Sequence, residues 1–358
     1  MSLRYGLLGA GVVAGMHLDA LAGLADVELV GIAAHDREAA EARAREHGCR
    51  AFATNEDLLA QELDVVVVGT PHPSHAELTV AVLESGAHVL CEKPLAPEVR
   101  EADAMIAAAE RTGLLLGVCF QQRFRPEIAA AKQLIDEDML GTLVRASVVD
   151  PWYRPHAYYA SADWRGTWKG EGGGILMNQA PHTLDLLCHL AGPPAAVWGL
   201  AQRRGQPMEA EDTATALLTY PDGAVGTIAV STLEPGVQRI ELVGDRGRIE
   251  IAGETLRFER FAPPISEHLT TATEMFAAPD RVAEVVELPE GRGDHRALHE
   301  DFAAAVRDGR EPRVPAREAL WSLELANAIV LSTHEERAVP LPVDRDAYAL
   351  LLAQLRGA

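Results

Sequence analysis

Few aromatic residues, few basic residues and few cysteines are present, and each shortage closes off a class of function. Lys and Arg number 32 against 53 Asp and Glu, a formal net charge of −21. A sequence-independent grip on nucleic acid needs clustered cations to displace counterions, so this balance argues against a nucleic-acid partner. The four cysteines, Cys49, Cys91, Cys119 and Cys188, are scattered without the paired spacing of a zinc or redox motif. Reduced thiols in a cytoplasmic protein are the simplest expectation. No run is long and apolar enough to span a bilayer, and "YGLLGAG" enters a strand-like pattern without a basic leader, so neither a membrane partner nor a signal peptide is expected. Phe, Trp and Tyr make up only 5% of the 358 residues, yet Trp and Tyr crowd into one stretch, 152–168.

At this length two domains are the natural expectation. The first third alternates Val/Leu/Ile-rich runs at 5–11, 27–34, 63–71, 87–94 and 113–120 with Ala/Glu/Arg-rich helical segments, three of which close on glycine. Runs such as "VVVV" do not alternate with polar residues, which predicts a parallel sheet covered on both faces. After Gln121 the pattern changes. A helix over 126–140, a strand-like "TLVRASVVD" and a helix near 179–191 precede strands "AVWGLAQ", "TATALLTY", "AVGTIAVST", "QRIELVG" and "GRIEIAG". Strands without intervening helices, joined by "PDGA" and "GDRG" turns, predict an antiparallel sheet and an α+β domain. The expected division is an α/β Rossmann domain over 1–121 and an α+β domain over 122–358.

"GAGVVA", Gly9 to Ala14, has the form G-x-G-x-x-A between the first strand and the first helix. There Gly9 permits a tight turn and Gly11 lets backbone approach a pyrophosphate, while Ala14 allows close packing. Val12 and Val13 open the helix whose N–H groups face the phosphates. The acid expected at the end of the second strand is missing: Ala34 and His35 stand there, and Asp36 reads as the N-cap of the next helix. Loss of that carboxylate, with His35 and Arg37 in reach, leans the cofactor toward NADP(H). The third strand ends in "GTPHPSH", placing Thr70, Pro71 and His75 on the ligand-binding edge, although a capped helix start at Ser74 explains the same residues.

The fourth strand runs into Glu92-Lys93-Pro94. With G-x-G-x-x-A, "TPHPSH" and "EGGGILMNQAPHTLDLL", this turn resembles the Gfo/Idh/MocA oxidoreductases, and the resemblance spans nearly the whole chain. It implies an NAD(P)-dependent oxidoreductase acting on a secondary alcohol or carbonyl of a sugar, sugar derivative or polyol. It implies also that 122–358 is a substrate-binding and oligomerisation domain, with an open sheet whose exposed face pairs copies into a homodimer or homotetramer. Lys93 would lie beside nicotinamide and substrate, with Glu92 near the cofactor. The family pattern D-x-G-x-H-x-x-D is altered here, with Asn178 for the first Asp and Ala180 for the Gly.

His182 and Asp185, three apart on one helical face, suit proton exchange with a substrate hydroxyl. A neighbouring cation such as Lys93 would stabilise the developing alkoxide. Lys93, His182 and Asp185 are therefore the catalytic candidates. Asn178, Trp164, Arg165, Trp168, Lys169 and Tyr153 are the candidate substrate contacts, since aromatic faces pack on sugar C–H faces. Gln121 and Arg123 stand where they touch the nicotinamide amide or brace the domain boundary. His295 and His299 have a metal-compatible spacing but no third ligand, so a solvated helix face and no metal are expected. Two rivals are an NAD-dependent glycosidase of the same family and a non-catalytic dinucleotide-binding regulator.

Overall fold

A computed structural model describes residues 2–357. They fall into two compact units. The first comprises residues up to Gln121, Gly170–Gly172 and Arg292–Leu323; the second comprises Gln122–Lys169, Gly173–Gly291 and the chain from Glu324 onward. The single boundary expected after Gln121 meets the end of the first stretch, but the chain returns to the first unit twice.

The first unit begins β1 Leu3–Leu8, α1 Val12–Ala22, β2 Val27–Ala33, α2 Arg37–His47, β3 Arg50–Phe52, α3 Asn55–Leu59 and β4 Val65–Val68. It continues through α4 His75–Ser85, β5 His88–Cys91, α5 Val99–Thr112 and β6 Leu116–Val118. Its six strands are all parallel in the order β3-β2-β1-β4-β5-β6, so the order reverses between β1 and β4. That crevice is where open α/β sheets hold ligands. Val65, Val66, Val67 and Val68 are each 0% exposed, as a strand covered on both faces requires. Each contributes at most about 1.5–3 kcal/mol.

Helix ends follow local chemistry. The Asp36 carboxylate accepts from the Ala39 N–H at 3.0 Å and starts α2, while Gly48, Gly86 and Gly113 end α2, α4 and α5 in the left-handed region. β3 and α3 were not expected: a three-residue edge strand has too few apolar positions to show a period.

The second unit holds α6 Pro126–Asp136, β7 Leu143–Pro151, α7 His156–Tyr159, α8 Pro181–Ala191, β8 Ala196–Gln202, β9 Thr213–Thr219, β10 Val225–Ser231 and β11 Arg239–Gly244. There follow β12 Gly247–Ala252, β13 Thr255–Ala262, α9 Ile265–Thr271 and β14 Asp280–Glu284. The chain then re-enters the first unit with α10 His295–Asp308, passes between units within α11 Ala316–Glu335, and ends with β15 Val339–Pro340 and α12 Arg345–Gly357. The second sheet has nine strands, β14-β13-β12-β11-β7-β10-β9-β8-β15, antiparallel except where β7 lies parallel to β10. One face is buried and the other is open. On the open face Trp198 is 56% exposed and sits opposite Leu217, 61% exposed, with Leu200 and Val225 also uncovered.

α10 overturns one expectation. Its Asp294 cap accepts from the Ala297 N–H, and the helix packs on α1, burying Leu298, His299 and Phe302. The His295/His299 side is therefore turned into the unit rather than to solvent. No helix among the described residues is long and apolar enough to cross a membrane. The four cysteines are free thiols.

Candidate active site

The glycine turn is built as its spacing predicts. Gly9 has φ +109° and donates to the Ala33 carbonyl at 2.8 Å; a Cβ there would lie 2.5 Å from the Gly69 oxygen. Gly9 is thus required by both backbone and space. Gly11 differs, because its φ of −69° suits any residue and an added Cβ would meet no protein atom within 4 Å. What Gly11 spares is room beside the α1 N-terminus, where Val12 is 77% exposed. At the end of β2, Ala34 and the exposed His35 stand without a carboxylate, because Asp36 is spent capping α2. Gln121 supplies a further fit: its Oε1 is buried and has no hydrogen-bond partner, an acceptor suited to a carboxamide N–H. These residues fit a dinucleotide.

The β4 exit is braced from within. Ser74 Oγ donates to Thr70 Oγ1 at 2.7 Å, so the hydroxyl at the N-cap position of α4 does not cap the helix. His75, expected at the cofactor, is fully buried, with Nδ1 2.9 Å from the Pro94 carbonyl and Nε2 2.8 Å from the Thr70 carbonyl. Each ring nitrogen faces a carbonyl, and the one that carries the proton in the neutral ring donates to its partner, so the ring fills the space between the β4 and β5 exits and leaves no nitrogen open to a ligand. His72 Nδ1 lies 3.0 Å from the Glu171 carbonyl, and burial, then the charges of His75 and Lys93, lower its pKa to about 3.

Lys93 is half-buried at the β5 exit, joined to Pro94 by a cis peptide bond. Glu92, expected near the cofactor, turns inward and is 6% exposed. Its Oε1 lies 2.9 Å from His17 Nε2 and 3.5 Å from His295 Nε2, and its Oε2 accepts the Lys93 N–H at 3.0 Å. Burial pushes the carboxyl up, but the hydrogen bonds from His17 and His295 and the nearby positive charge outweigh it, leaving the pKa well below the ordinary range. His17 and His299 are held below their usual range, chiefly by burial.

In the second unit, Pro181 opens α8 with Ala180 as N-cap and no side-chain cap, so Asn178 and Gln179 precede the helix without capping it. His182 is buried in the first turn. Asp185 is 1% exposed and both its oxygens are engaged by Arg123, Nε at 2.8 Å and Nη2 at 2.7 Å. This bidentate pair makes Arg123 a brace of α8 and commits Asp185 to holding the helix, in place of an orienting role on substrate hydroxyls. The Glu211 carboxylate accepts from the Gly174 and Leu176 N–H groups, both at 3.0 Å, and fixes the glycine-rich approach to α8.

The aromatic stretch divides in two. Trp168 is 8% exposed and packs within the unit, its backbone tied to Glu209 and Arg356, so it is core rather than a substrate contact. Trp164, Tyr153 and Lys169 remain exposed. Arg165 stacks on Trp164 at 4.6 Å and on Tyr158 at 4.3 Å, and donates to the Tyr158 hydroxyl at 2.7 Å. Tyr158 in turn donates to Asn178 Oδ1 at 3.3 Å. Tyr158 was missed in the sequence, where "HAYY" offers no reason to choose one tyrosine.

Residues 3–120 match a family model described as an oxidoreductase family with an NAD-binding Rossmann fold, and residues 128–250 match the GFO/IDH/MocA C-terminal domain. The chain is a Gfo/Idh/MocA oxidoreductase. Among family members of known activity, inositol 2-dehydrogenase from Rhizobium meliloti is 28% identical over 95% of this chain and 100% of its own. Trans-1,2-dihydrobenzene-1,2-diol dehydrogenase from Oryctolagus cuniculus is 30% identical over 63% of this chain and 68% of its own. The crystal structure of the WlbA dehydrogenase from Bordetella pertussis in complex with NADH and UDP-GlcNAcA has a TM-score of 0.82 at 30% identity, covering 96% of this chain and 100% of that one. As a Gfo/Idh/MocA oxidoreductase, this chain is a nicotinamide-dependent enzyme acting on CH–OH groups.

Proposed function

We propose that this protein oxidises a secondary alcohol, or reduces the matching carbonyl, on a sugar, sugar derivative or polyol. Similarity to an inositol dehydrogenase and to a dehydrogenase crystallised with UDP-GlcNAcA supports the substrate class. The observation that carries the chemistry is the placement of Lys93 at the β5 exit, between the buried Glu92 and Pro94, whose carbonyl His75 faces. Bound nicotinamide supplies the hydride acceptor or donor. Gly9, Gly11, Val12, Val13, Ala34, His35, Thr70, Pro71 and Gln121 would hold the dinucleotide. Lys93 polarises the reacting oxygen, and His182 takes or returns its proton. Asp185 serves through Arg123, keeping the first turn of α8 in place. Trp164, Arg165, Lys169, Tyr153 and Asn178 are the proposed sugar contacts, with Tyr158 added.

The absent carboxylate at Ala34–His35 supports NADP(H), since an acid there would repel a 2′-phosphate. The open Trp198–Leu217 face supports a homodimer or homotetramer closed by that sheet. Free thiols, three of the four buried, suit a cytoplasmic setting. The dehydrogenase relatives do not favour the glycosidase or regulator readings.

A panel of polyols and sugars, including myo-inositol and UDP-linked sugars, tests the function by absorbance of reduced nicotinamide. Reduction of NAD(P)+ by one class supports it. Cofactor binding without turnover across the panel in either direction would sink it. Fluorescence titration with NADH and NADPH at equal ionic strength tests the lean: NADPH tighter by tenfold, about 1.4 kcal/mol, is expected.

A further inference from the structure

Behind Lys93 lies a line of side chains that hydride transfer does not call for. Three histidines from two helices converge on one buried carboxylate: His17 from α1, and His295 and His299 from α10. His17 and His299 are 0% exposed. The His17 ring stands edge-on to both partners, at 4.9 Å from His295 and 5.1 Å from His299. The contacts fix the tautomers. A carboxylate only accepts, so His17 Nε2 donates to Glu92 Oε1 at 2.9 Å. With that ring neutral, Nδ1 accepts, and His299 donates to it from Nε2 at 2.9 Å. His299 Nδ1 then carries a lone pair and has no protein partner, so the line ends there.

We infer that Glu92 is a positioning residue for Lys93, and that the His299–His17 line, with His295, holds its carboxylate ionised and aimed at the Lys93 turn. The inference rests on Lys93 acting at the reacting oxygen. Glu92 Oε2 fixes the Lys93 backbone N–H, and its charge favours the ammonium form of the side chain that follows. Two neutral imidazoles in series add to the Lys93 charge in stabilising the buried anion, because each N–H stabilises charge while the rings stay uncharged. Every other titratable group facing Glu92 is neutral or Lys93 itself: Cys119 and Cys91 are thiols raised by burial, and His72 and His75 are imidazoles lowered by burial.

A metal is the competing account. His17 Nε2, Glu92 Oε1 and Cys119 Sγ lie within 4.8 Å of one another. Two nitrogen or oxygen ligands of a tetrahedral zinc ion stand roughly 3.3 Å apart, given bonds of about 2.0 Å. The 2.9 Å between His17 and Glu92 is a hydrogen-bond distance, and both His17 nitrogens are already engaged.

Two readouts on the full chain test this without turnover. With glutamate labelled by carbon-13 at the side-chain carboxyl, and the Glu92 signal identified by its loss in Glu92→Gln, the wild-type signal is expected not to titrate between pH 8 and pH 5. In His17→Leu it should titrate at least about one unit higher than in wild type, and His17→Gln, which keeps an N–H toward Glu92, should restore the wild-type curve. Trace acetic anhydride at pH 7.5, read by mass spectrometry, should acetylate Lys93 at least about fivefold faster in Glu92→Gln, since removing the anion frees more amine. A Glu92 signal that titrates identically in wild type and His17→Leu overturns the holding role. Unchanged Lys93 acetylation in Glu92→Gln overturns the positioning role, and one equivalent of zinc in the purified wild type overturns both in favour of a metal centre. If His17→Leu does not accumulate, His299→Leu takes its place, with the same direction of shift expected. Should Lys93→Ala keep full turnover, the proposed chemistry falls while these two readouts still stand on their own.

Discussion

Glu92 in the first unit and Asp185 in the second are buried almost equally, 6% and 1% exposed, yet each keeps its charge by a different device. Asp185 has a guanidinium locked to both oxygens. Glu92 has imidazoles and a backbone N–H. A guanidinium keeps its proton at any pH the protein meets, so the Asp185 pair is a fixed strut. His17 and His299 are held uncharged by burial, so they stabilise the Glu92 carboxylate through N–H groups and not through a fixed countercharge. The charged strut sits under α8 and the uncharged line of imidazoles behind Lys93. Burial costs are met in both units, but only the second meets them with a locked countercharge.

Substitutions that remove one partner at a time should separate the two devices. The largest effect on stability is expected at the strut: Arg123→Leu should destabilise the protein by about 3–5 kcal/mol in urea unfolding, because it strands a buried carboxylate. The double variant Arg123→Leu/Asp185→Leu should regain most of that loss, and a double variant no better than the single would mean the pair is not what Arg123 contributes. At the chemistry, Lys93→Ala and His182→Ala should each lower kcat by at least about 100-fold with melting temperature little changed. Gly11→Val should weaken NADPH binding about tenfold or more, yet leave stability near wild type, since the new side chain meets no protein atom. Equal losses of binding and stability would remove Gly11 from the cofactor list.

Acid should destabilise the first unit in two steps. His17, His72, His75 and His299 have lowered pKa values when folded, chiefly through burial, whereas in the unfolded chain they bind protons below about pH 6.5. Stability is therefore full above that pH and falls as the pH drops toward the folded values, about 3 for His72. The depressed Glu92 adds a loss of the same sign at lower pH, beginning near its unfolded value of about 4.3. A melting temperature at pH 5 at least about 5 °C below that at pH 7.5 is expected, and His299→Leu should flatten the dependence. The smallest effect belongs to a surface cap: Asp36→Ala should cost about 1 kcal/mol and leave cofactor preference unchanged.

Much of this was legible because the controlling signals are local. Gly9, the valines of β4 and the alternation in β9 each declare a backbone or burial requirement within a few residues, and the element list follows from them. Lys93 and His182 stood out because their neighbours, Pro94 and Pro181, punctuate the chain. The failures were long-range. His295 and His299 read as a solvated face because nothing within α10 shows that α1 covers it. His75 read as a ligand contact because its two carbonyl partners, at Thr70 and Pro94, come from different strand exits. Trp168 and Trp164 are indistinguishable by type and spacing, and only the tie of Trp168 to Glu209 and Arg356 separates core from surface.

The return of α10 to the first unit has a consequence for how the protein is made. Phe302 from that helix covers Gly117 in β6, and Val118 donates to the Val314 carbonyl, so the outer strand of the first sheet is finished by residues translated after all of β7–β14. The nucleotide-binding half cannot close on the ribosome when its own six strands have emerged. Until α10 arrives, His17 and the β6 edge face solvent, and a nascent chain stalled anywhere in the second sheet presents both to chaperones and proteases.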